Sequence, residues 1–387
     1  MSYMVLARKW RPQGFDSLVG QEAVAQTLQN AIASGRIPHG YLFTGTRGVG
    51  KTSAARILTK ALNCVNGPTP NPCGVCEACV AITQGNYLDV IEIDAASNRS
   101  IDDIRELREQ VRYAPVQGKY KVYILDEVHM LTKDAFNALL KTLEEPPPHI
   151  VFIFATTELR KVPETILSRV QRFDFKRISE AKIRERLRFI CQSDNIKADD
   201  EALEMIARRG DGSMRDALSC FDQVYAFGSE NITVQLVRDL LGVPPWELYE
   251  NLFKAIYAKQ RAACLLQLDV IYTQGFDINE FLQGFGEYIR HLLYAGQKGL
   301  SAEMAGFSQN LFARLAEVRS TARDEDLVRY GQIVASLLRE IRGAANPRLL
   351  LEMGLIRMAS LDPALSLQEL LEKINQASPT DAALKKK

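Results

Sequence analysis

Eight residues constrain this chain more than any others: Gly45-Thr46-Arg47-Gly48-Val49-Gly50-Lys51-Thr52 reads G-x-x-x-x-G-K-T in full. A short apolar run, 41–44, precedes it and a helical pattern, 53–62, follows. Strand, glycine loop and helix are the context in which this pattern has a mechanism. The glycines let successive backbone amides turn inward on phosphate oxygens, the lysine neutralises β- and γ-phosphates, and the threonine hydroxyl ligates Mg²⁺. ATP and Mg²⁺ are therefore the expected ligands, with Gly45, Gly48, Val49, Gly50, Lys51, Thr52 and Ser53 around the phosphates.

The surrounding pattern predicts an α/β domain over residues 1–178. Four apolar runs, 41–44, 88–93, 121–126 and 150–156, alternate with helical stretches, as in a parallel sheet covered by helices. Ligands of such sheets bind at the carboxyl ends of the strands. The third run ends in Asp126-Glu127. Asp126 is the expected second holder of Mg²⁺, and Glu127 the expected general base that polarises the attacking water. Paired acids at a strand end are by themselves a common solvated terminus, and the complete glycine loop upstream is what gives this pair its reading. His129 follows closely, and a lone histidine there reads as structural.

From 179 to 243 the chain predicts four helices and a small helical domain. The Gly242-Val243-Pro244-Pro245 stretch marks a break, and 244–365 predicts an all-helical third domain. Leu252, Ile256, Leu265, Leu268, Ile271, Leu337, Leu338 and Ile341 recur there at helical spacing, as ordinary bundle core does. Residues 366–387 read as a tail or linker.

Cys64, Cys73, Cys76 and Cys79 form C-x8-C-x2-C-x2-C just after the helix that follows the glycine loop. Four thiols at tight-turn spacing suit a structural tetrahedral Zn²⁺. An iron-sulfur cluster or oxidative pairing would use the same residues. Cys191, Cys220 and Cys264 lie in helical patterns and read as buried small hydrophobes. With 48 Lys+Arg against 47 Asp+Glu, no overall field draws the chain to nucleic acid or membrane, so any DNA contact must be local. The N-terminal stretch lacks an apolar leader core, and no run approaches eighteen uncharged apolar residues, so the expected location is cytoplasmic.

Asp126-Glu127, Phe154-Ala155-Thr156-Thr157 and Leu167-Ser168-Arg169 together resemble the AAA+ family, and its clamp-loader branch in particular. The resemblance runs over nearly the whole chain and includes Asn137-Ala138-Leu139-Leu140-Lys141-Thr142-Leu143-Glu144-Glu145-Pro146. It implies an AAA+ P-loop domain, a helical lid and an all-α collar that assembles an oligomer. Ala7-Arg8-Lys9-Trp10-Arg11-Pro12 and Phe15-Asp16-Ser17-Leu18-Val19-Gly20-Gln21 resemble the segments that clamp-loader ATPases wrap around adenine, which implies nucleotide contacts from Ala7, Arg11, Pro12 and Val19.

By the same resemblance Thr157, or its neighbour Thr156, is the polar group that helps position the attacking water. Arg215 reaches from the lid to the γ-phosphate. Arg169 is an arginine finger acting in trans on the ATP of an adjacent subunit. Without the family, an arginine at 215 is an ordinary surface residue. Val170 stands where the family motif has Cys, and is expected to be a packing substitution.

The implied partners are other copies of the chain, delta and delta-prime clamp-loader subunits, a sliding clamp and primer-template DNA, with no membrane. DNA would be met through phosphates rather than bases, with Arg99, Arg105 and Thr165 as candidates. ATP binding would open the clamp, and hydrolysis would release it closed on DNA. Two rival readings share parts of this pattern. Another AAA+ motor would not be expected to carry the cysteine insertion or collar. A non-hydrolysing scaffold should have a broken P-loop, whereas Lys51, Thr52, Asp126 and Glu127 are all present.

Overall fold

Five short strands make one parallel sheet: β1 (Gly40–Thr44), β2 (Val90–Asp94), β3 (Lys121–Asp126), β4 (Ile150–Thr156) and β5 (Gln171–Asp174). Their order is β2-β3-β4-β1-β5. The structure is a computed structural model that describes residues 5–97, 101–228, 231–242, 244–297, 299–301 and 309–364, without the side chains of 101–103, 105 and 309–311. The predicted tail, 366–387, lies outside the described residues.

The strands are apolar on both faces because both faces are covered. Tyr41, Phe43, Val122, Ile124, Val151 and Ile153 point to one layer, packed by α2 (Glu22–Ala33) and α3 (Lys51–Asn63) through Leu28, Ile57, Leu58 and Leu62. Leu42, Tyr123, Leu125, Phe152 and Phe154 point to the other. There α5 (Ile101–Gln110), α6 (Lys133–Glu144) and α7 (Glu164–Leu167) contribute Ile104, Phe136, Leu139 and Ile166. Two further helices, α1 (Leu6–Lys9) and α4 (Glu77–Gln84), belong to the N-terminal segment and the cysteine insertion.

Two strand readings need correction. β2 starts at Val90 rather than 88, because Leu88 is exposed while the buried Asp89 carboxylate accepts backbone N–H groups from Val116, Gln117 and Gly118, each at 2.7 Å. β5 has no counterpart in the sequence reading. Only Phe173 of Gln-Arg-Phe-Asp is buried, so this edge strand carries no apolar run.

The next helices are α8 (Glu180–Asp194), α9 (Asp200–Arg209), α10 (Met214–Gly228) and α11 (Val234–Leu241). The Ser179 hydroxyl caps α8 by accepting the Lys182 amide. A two-residue parallel pair, β6 (Lys197–Ala198) and β7 (Asn231–Ile232), ties this group together. The chain divides into two compact units, Met1–Val237 and Arg238–Lys387.

The second unit contains α12 (Trp246–Tyr257), α13 (Arg261–Thr273), α14 (Ile278–Ala295), α15 (Gln309–Arg319), α16 (Asp324–Glu340) and α17 (Pro347–Ala359). Its core stacks Tyr249 on Phe281 and Phe281 on Phe285. Leu252, Ile256, Leu268, Ile271, Leu337 and Ile341 are buried in it, and Leu338 packs against it. Leu265 is half-buried instead, since the inward stripe of α13 runs through Cys264, Leu268 and Ile271 at i, i+4, i+7 spacing. Cys191, Cys220 and Cys264 are buried.

Phe43 is fully buried against Tyr41, Phe173 and Phe175. Phe43→Ala should cost about 3–5 kcal/mol, read as a lower urea midpoint with an unchanged m-value.

Candidate nucleotide site and cysteine centre

At the carboxyl end of β1 the chain turns through Gly45, Gly48 and Gly50 with φ of 148°, 75° and 106°. A Cβ at Gly45 would stand 2.4 Å from the Phe175 carbonyl oxygen, and one at Gly48 would stand 1.9 Å from the Ser213 Oγ. The loop is thus wedged between the end of the sheet and the start of α10, whose Arg215 amide donates to the Gly48 carbonyl at 3.4 Å. Lys51 is 6% exposed, and its Nζ donates to the Gly45 and Thr46 carbonyls at 2.8 and 3.0 Å. Burial holds its ammonium below the usual lysine range, partly offset by Glu127 and Asp126. A base whose folded pKa is depressed costs stability at neutral pH, and that cost fades only as pH rises past the depressed value. An anion beside Nζ relieves it.

The Thr52 hydroxyl donates to Asp126 Oδ2 at 2.7 Å, so the two oxygens read as Mg²⁺ ligands already face each other across the cleft. Next to them Glu127 is held in a left-handed backbone conformation, φ 48°. Its Oε2 accepts the Thr157 hydroxyl at 3.0 Å and the Thr157 amide at 3.3 Å, and lies 3.3 Å from His129 Nδ1. β4 lies between β1 and β3, which is why the residue following it falls between the glycine loop and the two acids. Thr156 instead approaches His129 Nδ1, at 3.1 Å. His129, read as structural from sequence, lies directly beside Glu127 with its side chain 8% exposed.

Ala7, Arg11, Pro12, Val19, Gly48, Val49, Gly50, Lys51, Thr52, Ser53, Asp126, Glu127 and Arg215 line a single cleft. Gly45 contributes its carbonyl to Lys51. Burial, followed by the charge of Arg56, holds the Arg11 guanidinium below its usual range, with Arg215 adding to the effect. Arg47 and Arg186 line the same cleft without having been singled out in the sequence. Arg186, on α8, lies over the rings of Trp10 and Phe189, at 5.5 and 5.0 Å from their centroids. Asp194, at the end of α8, accepts Lys9 Nζ at 2.7 Å and Trp10 Nε1 at 3.1 Å. One wall of the cleft is therefore bonded to the helix that follows the sheet.

Arg169 stands elsewhere. β5 pairs Gln171 with Tyr41, and the Arg169 carbonyl lies near Gly40, at the amino end of β1. Gly40 and Gly45 are separated by roughly 16 Å at about 3.3 Å per residue, beyond the reach of an arginine side chain. Val170 packs a methyl group toward Gly40 and against the core. Thr165 lies in the four-residue α7, and its carbonyl accepts Arg169. Arg99 and the Arg105 side chain lie outside the described residues.

Cys64 ends α3, Cys76 caps α4 and Cys79 lies within it, and the four Sγ atoms fall within 4.8 Å of one another. A tetrahedron with Zn–S bonds of about 2.3 Å has edges near 3.8 Å, so the donor set fits that ion. The Cys76 amide donates to the Cys73 sulfur at 3.3 Å, and the Cys73 amide to the Cys64 sulfur at 3.5 Å. Backbone amides of Val75 and Cys76 bring the exposed Cys73 thiol down to about 6, whereas burial pushes Cys79 up. The centre is braced on the glycine-loop helix by Lys60, whose Nζ donates to the Gln13 carbonyl, Gln13 Oε1 and Thr83 Oγ1.

A glycine loop closed by α10, paired acids two strands away and a polar residue just beyond the strand between them define a P-loop nucleotide-binding protein of the AAA+ type. Comparison with known proteins carries this further. Residues 20–179 match a family profile described as DNA polymerase III, delta subunit. Residues 182–230 match the DNA polymerase III clamp loader subunit ATPase lid domain, and 232–374 match DNA polymerase III subunits gamma and tau domain III.

The chain is 41% identical over 383 residues to DNA polymerase III subunit tau of Bacillus subtilis, covering 97% of this chain and 68% of that protein. It is 37% identical over 360 residues to subunit gamma of Buchnera aphidicola, covering 93% and 99%. Against subunit tau of Salmonella typhimurium it is 42% identical over 95% of its own length but spans only 57% of that relative. The chain belongs to the DNA polymerase III tau/gamma family. Among solved structures it overlaps Thermotoga maritima RuvB at 17% identity, with TM-score 0.47, over 80% of this chain and 90% of that one. An overlap this loose says nothing about function.

Lys51→Met should leave the melting temperature without ligand unchanged or raised, because it removes a buried charge. It should also abolish the stabilisation by MgATP, about 2.7 kcal/mol at a hundred times Kd in the native chain. A thermal-shift titration reads both.

Proposed function

We propose that the chain is the ATP-hydrolysing subunit of a DNA polymerase III clamp loader. In this reading 1–178 is the nucleotide domain, 179–243 the lid and 244–365 the collar that holds the oligomer. It works in the cytoplasm with other copies of itself, delta and delta-prime subunits, a sliding clamp and primer-template DNA. The observation that carries the reading is the distance between two parts of one catalytic set. Lys51, Thr52, Asp126 and Glu127 share a cleft, while Arg169 sits at the opposite end of β1. An arginine there serves a phosphate on another molecule.

Mg²⁺ held by Thr52 and Asp126 would stabilise the charge that develops on the phosphate oxygens. Lys51 would neutralise the β- and γ-phosphates. Glu127 would take a proton from the attacking water as its oxygen bonds to the γ-phosphorus and the bond to the ADP oxygen breaks, with Thr157 holding the carboxylate in line. Arg215 would report the γ-phosphate to the lid. Arg169 of one subunit would complete the site of the next, which makes hydrolysis conditional on assembly. Arg99, Arg105 and Thr165 are the proposed contacts to DNA phosphate.

Zn²⁺ in the cysteine centre would fix the far end of the glycine-loop helix to α4. Metal analysis of the purified protein should find one zinc per chain, lost in Cys76→Ser, and a zinc-free preparation from native protein would exclude this assignment. The principal test is steady-state ATP hydrolysis with delta, delta-prime, sliding clamp and primed DNA, each omitted in turn. Clamp and primed DNA together should stimulate the rate, and Arg169→Ala should remove a factor of about 10³ or more. A rate indifferent to clamp and primer would point to another kind of AAA+ motor.

A further inference from the structure

Arg169 is not a loose surface side chain. Its NH1 donates to the Thr165 carbonyl at 2.8 Å and to the Ser168 Oγ at 2.9 Å, and its NH2 donates to Glu144 Oε1 at 2.7 Å. Three of the five N–H groups of the guanidinium are thus engaged, which leaves two for a phosphate. The side chains of Arg169 and Glu144 are 33% and 49% exposed, and they meet in an open groove shared with His39 and Gln171.

Glu144 is the last residue of α6. A carboxylate at a helix carboxyl end opposes the helix dipole, and an exposed ion pair adds little to folding stability. Stability therefore gives little reason for an acid at this position. Orientation does: an arginine has many rotamers, and a finger that must be ordered at the moment of reaction loses rate. Thr165 and Ser168 hold one nitrogen from the finger's own turn. Glu144 holds the other from a different element, and the two restraints together fix both the plane and the direction of the guanidinium.

We propose that Glu144 is a positioning residue for the trans-acting Arg169, holding the guanidinium pre-ordered on the subunit surface so that its two remaining N–H groups meet the neighbour's ATP. This rests on the reading of Arg169 given above. Glu144 touches neither substrate nor its own subunit's cleft, so its effect is felt at the adjacent subunit's site.

The test measures kcat and KM for ATP in the complete assembly with delta, delta-prime, clamp and primed DNA, for Glu144→Ala, Glu144→Gln, Arg169→Ala and Glu144→Ala/Arg169→Ala. Glu144→Ala is expected to lower kcat by about ten- to a hundredfold with KM little changed, up to the cost of a catalytic group displaced by about 1 Å. Glu144→Gln keeps an accepting oxygen and should recover most of that loss. The double variant should match Arg169→Ala alone, because without the finger its support has nothing to position. A Glu144→Ala rate equal to the native one, beside a deficient Arg169→Ala, would overturn the role of Glu144 and leave the finger standing. So would a double variant slower than Arg169→Ala. A native rate for Arg169→Ala would instead remove the finger reading itself.

Discussion

The buried ammonium of Lys51 is the interaction around which the rest of the first unit is arranged. A cation removed from water needs acceptors, and the nearest are two carbonyls of its own loop, Gly45 and Thr46. Those carbonyls can turn inward because the loop passes through positive-φ glycines, two of which, Gly45 and Gly48, have no room for a side chain. Closing such a loop requires a strand that ends there, a helix that begins there and a lid element pressed against Gly48. Each of these has its own share of the apolar core.

The strand order sets which residues join this local device and which lie away from it. With β4 between β1 and β3, the polar residue beyond β4 reaches the carboxylate beyond β3, and the chemistry gathers at one end of the sheet. β5 runs parallel to β1, so the residues that lead into it lie at the other end. If Arg169 is the finger proposed above, the catalytic set is divided between the two ends of the sheet and one copy would need another to complete it.

Much of this was legible because the informative residues are those for which backbone chemistry leaves no substitute. The glycines, Lys51, Thr52, the paired acids and four closely spaced cysteines each declare a role by type and spacing. β3 and β4, buried on both faces, declare themselves by continuous apolar runs. What remained hidden depends on partners distant in sequence. β5 has one buried side chain and pairs only because β1 offers an edge. Asp89 displaced the start of β2 because three amides some 27 to 29 residues later turn onto its carboxylate. His129 and Arg186 carry no motif and Glu144 lies in a resembling stretch that assigns it no role, so their neighbours Glu127, Trp10 and Arg169 identify them only once the chain is folded.

The bonds from Asp194 to Lys9 and Trp10 have a thermodynamic consequence. They join the wall of the cleft beside the glycine loop to the same helical group that carries Arg215. Any ligand gripped between the two walls binds with an affinity that includes the free energy of setting the lid. Linkage is reciprocal. A neighbouring protein that changes nucleotide affinity by a given factor through the lid would therefore have its own affinity changed by that same factor when nucleotide binds.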